Sequence, residues 1–454
     1  MEAEVAQLAD LAAQVVARAL AGGVDVAEAI VRCGFDLSTK IRLGEPELVE
    51  EAGHRGIGLR VIKNKRVALA STSDLSRAGI ERFVADALEL VEVSQEDPFA
   101  GPADPELVAA PAPRAEGLYD PAVAALDAEQ ALAWARRGED AARSFDPRIT
   151  NSDGATFARS ASAFALVLSG GFRGGYAGSY ASLAVVPVAD DEGGRKRRGH
   201  HWSARRHLGD LAPAEEVGRE AARRTVAKLG ARKIESCEAP VVFEPDTARS
   251  ILGLMATCVL GSAIWRKSSY LAGREGTRVA SELVTIVDDP FLPRGPGSRP
   301  FDGEGLASRR NVVVERGILQ TYLCDSYSAR KLGRQSTASA ARGAGGGVGP
   351  ATTNFVLQPS ATAASEILAG TKRGLLVTEM LGYGFNPVTG DFSRGAAGFW
   401  IEGGELAFPV SEVTISINAD ELWQRIDAVG DDLDVRSSTA APTLRVSAMT
   451  IAGQ

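Results

Sequence analysis

Four histidines, His54, His200, His201 and His207, are the only imidazoles available for acid–base work or metal binding. No HExxH occurs, and none of the four stands near a Cys or Glu at ligand spacing. A Ser-His-Asp triad is not supported, because no GxSxG elbow accompanies the many serines. Nucleotide signatures fail as well. There is no GxxxxGK[ST], and the Gly-rich runs at 343–349 and 381–391 do not match GxGxxG. The cysteines Cys33, Cys237, Cys258 and Cys324 form no CxxC, so neither a zinc ribbon nor a disulfide framework is expected, and a reducing compartment is the default.

Acid pairs remain. Asp288-Asp289, Asp302 with Glu304, and Asp431-Asp432 with Asp434 could serve proton transfer or bind a cation, although such pairs are more often turns or surface groups. The stretch 299–305, RPFDGEG, is the most function-like. It puts Arg299, Phe301, Asp302, Gly303, Glu304 and Gly305 on one loop, a mixture suited to gripping a peptide or a subunit surface. Substituting Arg299 or Asp302 is expected to impair function without unfolding the chain. The basic run 195–206 carries six Lys or Arg and reads as the exposed tip of a hairpin, because so many cations are not buried unpaired.

These residues sit in an ordinary globular composition. The 454 residues are 45% hydrophobic and 24% charged, with 50 Lys+Arg against 58 Asp+Glu, a net charge of -8. That length allows a full core, and the acidic balance argues against a surface built to clamp nucleic acid or an anionic membrane. The N-terminus has acids where a signal peptide carries bases, and the longest charge-free apolar run, 250–265, is shorter than the ~20 residues of a spanning helix. A cytoplasmic protein with no membrane partner is expected.

Periodicity supplies the elements. Residues 5–21 repeat as a helix, followed by five short strands at 27–33, 38–43, 47–52, 56–62 and 66–72, punctuated by turn residues at Gly34, Gly44 to Pro46, Gly53 and Asn64, and a helix from 73 or 74 to 93. Five of the 21 prolines fall between 98 and 113, which reads as a semi-rigid tether. A helix is expected at 127–144, long antiparallel strands between 149 and 206, and a charged helix at 211–229. A strand at 239–243 leads into an apolar helix from 246 to about 265. Strands at 311–315, 318–325, 375–378, 398–402, 406–417 and 443–451 dominate the rest, with one helix at 419–426.

Several long segments resemble one family. SELVTIVDDP (281–290), LPRGPGSRPFDGEG (292–305), VVERGILQTYLCDSYSARKLG (313–333), TKRGLLVTEMLGYGFNPVTGDFSRGAAGFWIEGGEL (371–406), FPVSEVTI (408–415) and MTIAGQ (449–454) are similar to the TldD/TldE metallopeptidases, most closely the TldE or PmbA branch. ASTSDLS (70–76) and EDPFAG (96–101) extend the resemblance toward the N-terminus. The resemblance implies an intracellular peptidase of two related subunits. Its TldD-type member holds zinc through an HExxxH helix and a later Cys, and acts on unfolded peptides, including precursors of modified peptide antibiotics and antitoxins. Here the ligand positions read Leu252, Gly253 and Thr257, and 434–442 contains no Cys.

The expected fold is α+β: a small N-terminal α/β domain (1–95), a Pro/Ala-rich linker (96–117), a middle segment (118–235) and a larger, strand-rich C-terminal domain (236–454) of the TldD/PmbA type. The expected function is the non-zinc subunit of a TldD/TldE-type metallopeptidase. It would have no catalytic residue and no cofactor of its own, with zinc in a TldD-like partner, or would pair with itself as a homodimer. The alternative is a regulatory binding protein of the "modulator of DNA gyrase" kind. A third idea is an independent hydrolase using acid pairs and a metal held elsewhere.

Overall fold

The computed structural model describes residues 2–108 and 115–453; positions 109–114, the end of the proline-rich stretch, lie outside them. The chain opens with helix α1 (Glu2–Ala21), then an antiparallel meander of β1 (Val26–Arg42), β2 (Glu45–Lys63) and β3 (Arg66–Thr72). Helix α2 (Arg77–Val93) starts where the Ser76 hydroxyl accepts from the Gly79 N–H, a side-chain N-cap. Its apolar stripe of Ile80, Phe83, Val84, Ala87 and Val91 joins α1 over one face of the meander.

The five short strands expected before residue 73 are three, two of them long. Gly34 and Gly53 are not turns: the ladder runs unbroken through Gly34↔His54 and Phe35↔Gly53. A Cβ on Gly34 would lie 2.7 Å from the His54 ring and 2.8 Å from Ser162, so this glycine permits close approach of neighbouring strands.

A short helix α3 (Pro121–Ala125) and α4 (Ala128–Arg143) follow, the latter opened by a reciprocal capping box between Asp127 and Gln130. Next come β4 (Ile149–Leu168), β5 (Arg173–Asp190), β6 (Lys196–Arg198), β7 (His201–Arg205) and α5 (Ala214–Ala227). β1 pairs with β4 from Glu28↔Leu168 to Ile41↔Ala155, so the first and middle segments share one seven-stranded sheet of order β3-β2-β1-β4-β5-β6, with β7 also on β5. Alternation assigns its faces. Odd-numbered residues such as Val31, Phe157, Leu183 and Val185 pack under the helices. Even-numbered Arg32, Phe164 and Tyr176 lie side by side on the other face, through Arg32↔Phe164 and Phe164↔Tyr176.

Only the start of the basic stretch forms a hairpin tip: β5 and β6 pair antiparallel across the turn at 191–195, where Arg195 and Lys196 are exposed, and the rest of the stretch runs on through β7. β6 and β7 each pair with β5 rather than with one another. Its cations are partnered: Lys196 with Asp190, Arg197 with Asp191 (2.7 Å), Arg198 with Asp153 (3.1 Å) and Arg205 with Asp434 (2.9 Å). Arg206 is half-buried, and its guanidinium donates to the carbonyls of Gly295, Pro296 and Leu118.

The second half begins with β8 (Cys237–Phe243), α6 (Pro245–Cys258) and α7 (Gly261–Trp265). β8 lies within a six-stranded sheet ordered Glu405–Asn418, Asp391–Glu402, Arg373–Leu381, β8, Leu444–Ala452 and Ile426–Val429. Glu405–Asn418 also pairs with Leu444–Ala452, closing a ring around the largest core cluster. The single helix expected over 246–265 is broken at Val259 and Leu260. There the Gly261 N–H donates to Leu323 O (2.7 Å) and Leu323 N–H to Val259 O (2.9 Å), a strand-like bridge that competes with the helical bonds. The strand expected at 318–325 shortens to Ile318–Leu319, because Asp325 caps a helix at Ser326–Lys331.

The described part of the linker is not a free tether. Arg330 donates to the carbonyls of Phe99 (2.8 Å), Gly101 (3.1 Å) and Pro102 (2.9 Å), and Tyr327 donates to Asp97 (2.8 Å). Among the described residues no helix is long and apolar enough to cross a membrane.

Candidate functional site

Two loci bear on function. The first is α6, which carries the positions where the family resemblance places metal ligands. Pro245 and Asp246 occupy its first turn, suited to free N–H groups and the positive helix end. Thr247, Ala248, Ile251, Leu252, Met255 and Ala256 then form the buried stripe. Leu252 is fully buried in the main core. A Cβ on Gly253 would meet nothing within 4 Å, and Thr257 is exposed, its hydroxyl donating to Leu254 O (2.8 Å).

The segment 434–442 does reach this helix. Its Thr439–Ala440 strand packs on α6, and Arg436 bridges Asp434 (2.8 Å) and Asp246 (3.5 Å) while lying 4.7 Å from the Trp202 ring centroid. The donor set does not fit zinc. Leu252 has no lone pair to offer, Gly253 has no side chain and Thr257 faces solvent with a neutral hydroxyl. Elsewhere burial pushes the Cys324 thiol up to about 12 and raises that of Cys258, against the thiolate a metal needs. Among the described residues no group of three or more His, Cys, Asp or Glu is arranged to hold a metal ion.

The second locus is the 299–305 loop, which closes over the even-numbered face of the seven-stranded sheet and leaves a cavity of about 350 Å³. Arg299, Phe301, Asp302 and Gly303 line it from above; Arg32, Phe164 and Tyr176 line it from below. Phe301 anchors the loop among three rings, with centroids 4.9 Å from Phe172, 5.6 Å from Tyr176 and 6.1 Å from Phe164. Gly303 is required by close packing, since a Cβ would lie 2.6 Å from the Arg342 nitrogen. Gly305 has φ +75° and faces the Phe172 ring.

Asp302 and Glu304 face inward. Asp302 accepts from the backbone N–H groups of Glu304 (2.9 Å), Leu306 (3.0 Å) and Ala340 (3.1 Å). Burial raises its pKa, against the nearby Arg299 charge and those three donors. Glu304 accepts from the Ser326 N–H (2.8 Å) and hydroxyl (2.6 Å). Burial, then the Asp302 charge, pushes Glu304 up to about 7. Removing the Asp302 carboxylate would leave three buried N–H groups without an acceptor, so its substitution is not silent for the fold, contrary to the expectation from sequence.

Arg32, Tyr176, Arg206 and Arg342 complete the cavity and were not singled out as site residues by sequence reasoning. The signal for Arg32 was a lone cation in the apolar run AIVRCGF. Arg206 was visible only as one more charge in the basic run. The other acid pairs are spent on local structure: Asp288 accepts from the Thr353 N–H, and Asp432 accepts from the Thr443 N–H and hydroxyl.

Comparison with known proteins covers most of the chain. Residues 27–91 match the PmbA/TldA metallopeptidase domain 1, 121–229 its central domain and 236–453 its C-terminal domain. The chain is 37% identical over 433 residues to the metalloprotease PmbA of Escherichia coli O157:H7, covering 95% of this chain and 93% of the relative. A crystal structure from Bacteroides thetaiotaomicron VPI-5482, provisionally named a modulator of DNA gyrase, superposes with a TM-score of 0.91 at 27% identity, over 98% of each chain. TldE from Thermococcus kodakarensis shares the fold with a TM-score of 0.87 at 23% identity, over 98% of this chain and 100% of that one.

Proposed function

The chain belongs to the PmbA/TldD metallopeptidase family, in its TldE/PmbA branch, and from that premise we propose that it is the non-zinc subunit of a two-subunit peptidase acting on unfolded peptides. One observation carries the reading: on α6 the position of the first metal ligand is a core leucine, Leu252, with no ionisable side chain at Gly253 and an outward hydroxyl at Thr257. A TldD-like partner would supply zinc and the bond-breaking chemistry. This chain would shape the chamber and hold an extended peptide, with the 299–305 loop and its cavity as the gripping surface. Four free cysteines fit a reducing, cytoplasmic setting.

The test is metal analysis and peptide cleavage on this chain, on a TldD-type chain carrying HExxxH, and on the pair. Chelator-sensitive cleavage is expected in the mixture and not in this chain alone. One zinc per chain here, with cleavage in the absence of a partner, would overturn the reading.

A further inference from the structure

Guanidinium groups in this molecule show how they are normally satisfied. The edge formed by Nε and Nη2 grips a carboxylate in Arg137–Glu215 (2.7 and 3.0 Å), Arg148–Asp146 (2.9 and 2.7 Å) and Arg445–Asp427 (2.8 and 3.1 Å). The same edge of Arg299 is different. Its Nε and Nη2 are both buried and have no hydrogen-bond partner among the described residues. The Nε of Arg32, across the cavity, is in the same condition. A buried donor without an acceptor is costly, more so on a charged group, so two such arginines around one cavity call for an acceptor supplied from outside the chain.

The charge balance of the cavity agrees. Arg32, Arg206, Arg299 and Arg342 all line it. Arg206 is occupied by backbone carbonyls and has no carboxylate partner among the described residues. Arg342 is paired with Glu28 (2.7 Å), but that carboxylate also serves Arg60 (2.9 Å). The lining acid, Asp302, spends both oxygens on backbone N–H groups. Tyr176 sits in the middle: burial raises its pKa, while the charges of Arg299, Arg206 and Arg32 pull it down. Ile30, Phe164, Leu166 and Phe301 give the same cavity apolar walls.

We propose that this cavity is a subsite for a peptide carboxylate, a free C-terminus or an Asp or Glu side chain, gripped by the Nε/Nη2 edge of Arg299 with Arg32 opposite, its carbon skeleton against Phe164 and Phe301. The planar fork matches a carboxylate in two-point contact, and the apolar walls favour an organic anion over a small inorganic one. The proposal rests on the reading of the chain as a peptide-handling subunit.

The test is calorimetric titration of the full chain, without any partner, with acetyl-Ala-Phe bearing a free carboxylate, with its C-terminal amide, and with inorganic phosphate. The free acid should bind at least tenfold more tightly than the amide and than phosphate. Arg299→Gln should weaken the acid tenfold or more, and Arg32→Gln should weaken it to a smaller degree. Equal binding of acid and amide, no binding of the acid, or an unchanged affinity in a folded Arg299→Gln chain would overturn the proposal. Phosphate binding as tightly as the acid would overturn the assignment to a peptide carboxylate. The acid–amide comparison uses the unaltered chain, so it survives a variant that fails to fold. Cleavage by the pair is scored separately, and its failure would count against the subunit reading alone.

Discussion

Glu304 and His201 pull the pH dependence of stability in opposite directions. Glu304 is 4% exposed and its folded pKa lies near 7, above the usual 4.5. The folded state therefore holds this proton more strongly, and the contribution is full below about pH 4.5 and lost as pH rises through 7. His201 is half-buried, and burial, then the Arg224 and Arg436 charges, lowers it to about 4 from 6.5. Its contribution is full above pH 6.5 and lost as pH falls through 4. Between about pH 4.5 and 6.5 the two slopes offset each other. Glu304→Gln should uncover stability that rises with pH in that window and should be more stable than the parent at pH 8. His201→Gln should steepen the loss of stability from pH 4.5 to 7, a direction to which Asp288, raised to about 6 by burial, also contributes. Urea unfolding at four pH values from 4.5 to 8 reads both, and profiles parallel to the parent would refute the assignment.

At the scale of one helix, α6 decides whether the family's metal site could be rebuilt here. Adding a glutamate to an apolar helix would ordinarily raise its pKa or strain the fold, but Gly253 opens onto free space. Gly253→Glu should therefore cost nothing and could gain up to about 1 kcal/mol, the usual burden of a mid-helix glycine. Leu252→His is the damaging change, since it puts an imidazole into the main core. A loss of about 3 kcal/mol or more is expected in urea unfolding. The triple variant Leu252→His, Gly253→Glu, Thr257→His should still take up no stoichiometric zinc in equilibrium dialysis, because 434–442 has no thiolate to complete the set. A triple variant with one tightly held zinc would show that the side chains at 252, 253 and 257, not the missing third ligand, were limiting.

For the whole molecule, the shared sheet sets the folding unit. β1 has β2 on one edge and β4 on the other along nearly its full length. A fragment ending at residue 95 would expose that second edge as a long template for pairing, so it should be unfolded or self-associated. A fragment of residues 1–235 restores β4 and β5 with α4 and α5 above them, and should unfold cooperatively. Circular dichroism with sedimentation distinguishes these outcomes, and a monomeric, cooperatively folding 1–95 fragment would contradict the shared-sheet account.

Local signals are legible in the residues themselves. The Asp127/Gln130 pair marks a helix start by capping chemistry, and alternation in 149–168 and 173–190 marks strands, because both depend on neighbours within a few positions; the helix expected to start at 73 or 74 is capped instead by Ser76. The residue types at 252 and 253 are equally plain, since leucine and glycine side chains ligate a metal in no fold. What tertiary structure alone decided is non-local. Gly34 and Gly53 read as turns until strand pairing showed them as close approaches, and the helix after residue 246 reads as continuous until Leu323 bridges to Leu260. The cavity is the same case: Arg32, Tyr176, Arg206 and Arg299 come from four separate segments. They meet because strand register, set by which faces bury under the helices, places even-numbered residues of three strands beneath one loop.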